Sequence, residues 1–187
     1  MLAQVMEEEQ EYELIDGQEV RMFAASIPHT NIQVNLCTII RNFLKGKHCK
    51  VFVEPRVVFD DKSWFQPDLA VVCDRRKIKL NCIQGAPDFV VEILSPTTAS
   101  RDFGVKKDKY EASGVKEYWI IDPKAENIMV YLLQDGKYVL DNVYHRFTEE
   151  EWEGLDAAQK EAQQQKMSLK ISLYDDLLIE VAEVFED

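Results

Sequence analysis

Four cysteines in 187 residues, Cys37, Cys49, Cys73 and Cys82, include no Cys-x-x-Cys pair. That argues against a zinc site and fits reduced thiols in a reducing cytosol, packed as small hydrophobes. No apolar run approaches the ~20 residues of a membrane helix. Met1 to Glu9 is acidic and carries no apolar signal-peptide core. The expected setting is therefore cytoplasmic, with no membrane. No internal repeat and no linker divides the chain, which reads as one domain over 1–187, long enough for a core. No base-reading module is visible, and no strong basic stripe argues for phosphate.

What is present is mostly acid, unevenly spread. The net charge is −12, from 34 acids and 22 Lys and Arg. Residues 1–19 hold seven acids and no Lys or Arg, and 149–187 hold twelve acids and three lysines. The middle, 20–148, keeps 15 acids against 19 bases, a net of +4. Nucleic acid is thus not excluded as a partner of the centre.

In chain order, an acidic lead-in over 1–10 precedes an Asp16-Gly17 hairpin. Pro28-His29-Thr30 opens a helix with Ile32, Leu36, Ile39, Ile40 and Phe43 on its apolar face and Gly46 as its stop. The alternation from Val51 to Phe59 predicts one strand, with Glu54 and Arg56 on its polar face. A strand from Phe65 to Cys73 and a basic connection with Arg75, Arg76, Lys77 and Lys79 follow. The nearly unbroken apolar run Asp88–Leu94 predicts a strand buried on both faces. Then come a helix from Arg101 to Ser113 stopped by Gly114, a strand over 117–122 and an Asp135-Gly136 hairpin. Thr148 with Glu151 is a capping box for an acidic helix to about Lys166. A short strand, Leu169 to Leu173, and a helix from Tyr174 to Phe185 end the chain. Leu173, Leu177, Leu178, Val181 and Phe185 fall at near-helical spacing, to pack on the core or on a second copy, and a homodimer is the commonest oligomer. The fold class is α/β in the α+β sense: a mixed central sheet flanked by helices, with an N-terminal hairpin and C-terminal helices.

Two apolar strands each carry one carboxylate, Asp68 in Gln66-Pro67-Asp68-Leu69-Ala70-Val71-Val72 and Glu92 in Phe89-Val90-Val91-Glu92-Ile93-Leu94. Burying an unpaired carboxylate is costly, so such acids need a partner. Asp68 reads either as a solvated turn residue or as a ligand, and Glu92 either as one half of a salt bridge or as a ligand. On neighbouring strands, about 4.8 Å apart, the two would share one hard cation, with the Ile93 carbonyl adding an oxygen. Pro87-Asp88 is a decoy, because Asp88 lies about 13 Å from Glu92 along the same strand. Asp102, Lys106 and Tyr110 share one helix face. By spacing alone, Asp102 and Lys106 read as a surface ion pair.

Gln66-Pro67-Asp68, Val91-Glu92-Ile93-Leu94-Ser95-Pro96, Arg101-Asp102 with Lys106 and Tyr110, and Gly114 through Pro123 together resemble the Uma-type family. This is a cyanobacterial-type family of restriction-endonuclease-like proteins in the PD-(D/E)XK nuclease superfamily. Tyr12 to Gly17 and His29 resemble its N-terminal part. The resemblance implies a Mg²⁺- or Mn²⁺-dependent endonuclease acting on nucleic acid, in the first place DNA. It implies Asp68 and Glu92 as metal-binding acids, with Ile93 through its carbonyl. The usual Glu-x-Lys strand would put lysine at 94, where this chain has Leu94, and Lys106 from the helix would stand in. Glu13, His29, Glu54, Gln66 and Tyr110 are the implied accessory residues. The alternative is an inactive nuclease fold used for binding or assembly.

Overall fold

Asp16 and Gly17, with φ of 49° and 83°, supply the left-handed pair that a tight hairpin turn requires. The computed structural model describes residues 11–186, and the lead-in expected over 1–10 lies outside them. It opens on the hairpin of β1 (Tyr12–Ile15) and β2 (Gln18–Arg21). Ser26 then caps α1 (Ile27–Phe43) by accepting the His29 amide. Pro28 occupies the first turn, where no amide is needed. Ile32, Leu36 and Ile40 form the buried stripe of α1, and each such side chain contributes about 1.5–3 kcal/mol by leaving water.

The single strand expected from Val51 to Phe59 is two strands, β3 (Lys50–Val53) and β4 (Val57–Asp60), in different sheets. Glu54 turns the chain at φ 48° and Pro55 lacks a ladder donor. The next strand divides likewise. β5 (Ser63–Phe65) and β6 (Leu69–Val72) are separated by Gln66-Pro67-Asp68, so Asp68 precedes its strand instead of standing inside it. After a 3₁₀ turn at Arg75–Lys77 come β7 (Ile83–Gln84) and β8 (Phe89–Ile93), the latter buried at every position as expected.

The expected helix 101–113 is α2 (Ala99–Phe103) and α3 (Val105–Ser113), interrupted at Gly104 and ended by Gly114 at φ 84°. β9 (Glu117–Asp122), β10 (Asn127–Gln134) and β11 (Lys137–His145) match the sequence reading, with Asp135-Gly136 at the turn. The acidic helix to Lys166 is instead α4 (Glu149–Gly154) and α5 (Ala157–Gln164), because Asp156 starts a second capping box. The C-terminal helix expected over 174–185 is also corrected. β12 (Ser168–Lys170) pairs with β13 (Leu178–Glu180), and α6 is confined to Val181–Val184.

A six-stranded sheet runs β11-β10-β9-β8-β6-β3, with β8 and β9 parallel and the other neighbours antiparallel. A five-stranded sheet runs β2-β1-β5-β4-β7. α1 and the C-terminal segment cover the larger sheet on one side, and Tyr110, Val115 and Phe65 fill the space on the other. Mixed sheets flanked by helices make this an α+β fold. Wholly buried Glu117 accepts from Trp119 Nε1 (2.6 Å) and Ser172 N (2.7 Å), tying the C-terminal segment to β9. Cys49 and Cys73 are disulfide-bonded, not the free thiols expected. They fall one step beyond the Lys50↔Val72 pair of β3 and β6, where side chains face each other. Cys37 and Cys82 are free. No helix among the described residues is long and apolar enough to cross a membrane.

Candidate active site

β6 and β8 are antiparallel neighbours with Leu69 opposite Val91, so the next step of the register sets Asp68 against Glu92. Asp68 is fixed by the partner strand itself, since its Oδ2 accepts the Ile93 amide at 2.6 Å. Its Oδ1 lies 3.2 Å from Nε2 of His29, delivered by the first turn of α1. Glu92 is 4% exposed. Its Oε1 accepts from Lys106 Nζ at 2.7 Å and from the Tyr110 hydroxyl at 2.6 Å. Lys106 also reaches Glu13 Oε1 at 3.0 Å and Asp102 Oδ1 at 3.7 Å. The smaller sheet thus supplies Glu13 from β1, the larger sheet Asp68 and Glu92, and α3 the ammonium.

The sequence reading of Asp102 and Lys106 as a surface pair is therefore corrected. Asp102, Lys106 and Tyr110 keep one face across the Gly104 break, and all three are buried. The alternation of Val51 to Phe59 sets Glu54 beside Arg56 on one polar face. Instead it accepts from Gln33 Nε2 at 3.1 Å, while Arg56 stacks over Trp64. Gln33, which sequence reasoning passed over, also donates to the Asp68 carbonyl at 3.2 Å. Gln66 contributes its amide to Glu13 at 2.8 Å. Asp88, the decoy, sits at the far end of β8 with Lys116 and the Cys73 amide.

A cavity of about 680 Å³ gathers these groups. Asp68, Glu92, Lys106, Glu13, His29, Glu54 and Gln66 all line it, with Ile93, while Tyr110 lies beneath Glu92. The basic connection does not line it. Arg76 is held by Asp74, and Lys77 by the Ala86 carbonyl.

One buried ammonium faces three carboxylates. Burial works to discharge Lys106, but Glu92, Glu13 and Asp102 together hold its pKa above the usual lysine range. Burial pushes the Glu92 carboxyl well up; Lys106 offsets this in part, and Asp102, Asp68 and Glu13 add to it. Asp102 is likewise raised by burial, and its oxygens have no hydrogen-bond donor among the described residues. Burial and the charge on Glu92 keep Tyr110 a neutral donor. Burial opposes charge on His29, yet Asp68, by hydrogen bond and by charge, outweighs it and raises the ring.

Carboxylates are the donors a hard divalent cation takes. Among the described residues no three His, Cys, Asp or Glu side chains form a ready cage. An ion here would rest on Asp68, Glu92, the Ile93 carbonyl and retained waters, a donor set that suits Mg²⁺.

Two sheets meet at an acid-lined cavity with a buried lysine, in a mixed α+β fold. A putative nuclease of the DUF820 group from Anabaena variabilis, known from its crystal structure, shares the fold at a TM-score of 0.73 and 21% identity, over 97% of this chain and 93% of that one. The family model Uma2, described as "Putative restriction endonuclease", matches residues 1–166, and the chain belongs to that family. The Synechocystis protein slr1290, described as uncharacterized, is 30% identical over 148 residues, 76% of this chain and 70% of the relative.

Proposed function

We propose that the protein is a Mg²⁺- or Mn²⁺-dependent endonuclease that hydrolyses phosphodiester bonds, with DNA as the first substrate to test. The observation that carries this reading is the meeting of Asp68, Glu92 and Lys106 in one cavity in a chain of the nuclease-type family. Asp68, Glu92 and the Ile93 carbonyl hold the ion, which when bound lowers the pKa of a water and polarises the phosphate. Lys106 orients the attacking water or offsets charge in the transition state. Tyr110 and Glu13 fix the Glu92–Lys106 pair, and His29 and Gln33 fix Asp68. Cytoplasmic location and a homodimer belong to the same reading.

The test is cleavage of plasmid DNA with MgCl₂ or MnCl₂. Asp68→Ala and Glu92→Ala are each expected to lower the rate at least about a hundredfold, the cost of losing a group that holds or orients the catalytic ion. Wild-type rates in both variants overturn the assignment.

The committed carboxylates favour one rival, a nuclease fold retained for binding or assembly: His29 already sits on Asp68, and Lys106 on Glu92. Calorimetric titration with MgCl₂ separates the two, since heat of binding that vanishes in Glu92→Ala belongs to the nuclease alone.

A further inference from the structure

A phosphodiester entering this cavity meets Glu13, Glu54, Asp68 and Glu92, and it needs a cation that is not already spent. Four basic side chains line the walls: Arg21, His29, Arg101 and Lys106. His29 is committed to Asp68. Lys106 is already paired with Glu92 at 2.7 Å and with Glu13 at 3.0 Å. Arg21 is exposed at the rim, its guanidinium 5.2 Å from the Phe23 ring centre. Arg101 differs from all three. It is half-buried on α2, and it forms no ion pair among the described residues. Its Nε is buried without an acceptor among them. A buried donor left unpaired is costly.

The mount is rigid. Tyr118 donates to the carbonyl of the next residue, Asp102, at 3.0 Å. Thr98 Oγ1 accepts the Ser95 amide at 3.2 Å, pinning the loop that leads from β8 into α2. Ser95 and Thr98 line the same wall as Arg101.

We infer that Arg101 binds the substrate phosphate, presenting its planar fork to two phosphate oxygens, beside the Lys106 ammonium. This deepens the nuclease reading and rests on it for the identity of the substrate. Arginine suits the task because its donors match phosphate geometry and its charge persists in a partly dry site.

The test is fluorescence anisotropy of a fluorescein-labelled DNA of about 20 nucleotides with the full chain in CaCl₂, across a NaCl series, beside Mg²⁺ cleavage assays. Arg101→Ala is expected to bind at least about tenfold more weakly and to lower the log K against log salt slope by about one. Exposed Lys124→Ala, remote from the cavity lining, keeps the wild-type affinity. Should Arg101→Ala fail to fold, by its circular dichroism melt, Arg101→Gln carries the same expectation with the side-chain stem retained. An Arg101 variant that binds DNA with wild-type affinity and salt slope overturns the inference. If the wild type still cleaves, the nuclease reading survives that result. A wild type that neither binds nor cleaves DNA overturns both. Weakened binding in Arg101→Ala by a wild type that binds but does not cleave upholds the phosphate site and removes the nuclease.

Discussion

Lys106 owes its charge to its neighbours. Desolvation alone would favour the neutral amine, and three carboxylates reverse that preference. Removing the ammonium leaves Glu13, Glu92 and Asp102 facing one another without a counter-charge, so Lys106→Ala is expected to destabilise the fold by about 3–5 kcal/mol, read by urea denaturation. Adding Glu92→Gln to Lys106→Met removes a charge from each side and should recover part of that loss, whereas additive losses would show that the two do not act as a pair. Asp68 and Glu92 could be singled out in sequence because a carboxylate beside or within an apolar run has no packing reason. Gln33 and Arg101 carry no such mark, since polar residues on helices are ordinary and their place at the cavity comes from tertiary packing. His29 gives a pH prediction with a definite sign. Its folded pKa is raised above the unfolded value, so its contribution to stability is full below about pH 6.5 and is lost as the pH rises through the folded value. The stability gap between wild type and His29→Gln should therefore be larger at acid pH than at alkaline pH. Asp68→Asn should lower the His29 titration midpoint in an NMR titration.

At the scale of elements, the breaks mattered more than the runs. Gly104 separates α2 from α3, and a Cβ there would stand 2.9 Å from the Ser100 carbonyl oxygen, closer than backbone atoms permit. Gly104→Ala is expected to cost about 1–3 kcal/mol, the usual penalty of forced overpacking, and to shift the Asp102 side of the lysine cluster. A thermal melt equal to wild type would mean that the backbone yields freely there. The hairpins, β8 and the face shared by Asp102, Lys106 and Tyr110 were legible because each is local: a turn pair, an apolar run, a spacing of four. Pro55 and Pro67 were visible too, but the alternation around Pro55 and the apolar run after Pro67 suggested continuous strands. Those two interruptions switch the chain between sheets and bring Glu54 and Asp68 to the cavity. The C-terminal segment misled for the opposite reason. Its leucines fall at near-helical spacing, yet Leu169 pairs with Ile179 across a hairpin, and long-range pairing overrode local periodicity.

For the whole molecule, the C-terminal segment is part of the core that holds the site. Leu169, Ile171, Leu177, Ile179, Val181, Val184 and Phe185 belong to the same buried cluster as Leu36 of α1 and Val91 and Ile93 of β8. The family model stops at residue 166, so these side chains lie beyond the part of the chain it describes. At about 1.5–3 kcal/mol for each buried side chain, their loss amounts to roughly 10 kcal/mol or more, comparable with the whole stability of a domain of this kind, about 5–15 kcal/mol. Glu117 would also lose the Ser172 amide and stand buried with Trp119 as its remaining donor among these partners. A chain ended at Lys166 is therefore expected to lack a cooperative urea transition and near-ultraviolet circular dichroism, while Ile179→Ala keeps both and loses about 2–5 kcal/mol. A shortened chain that melts as sharply as the full one would mean that the sheets hold the β6–β8 pair unaided. The opposite outcome makes the packing of this segment against α1 and β8 a condition for Asp68 and Glu92 to meet, because the strands that carry them take their backing from that core.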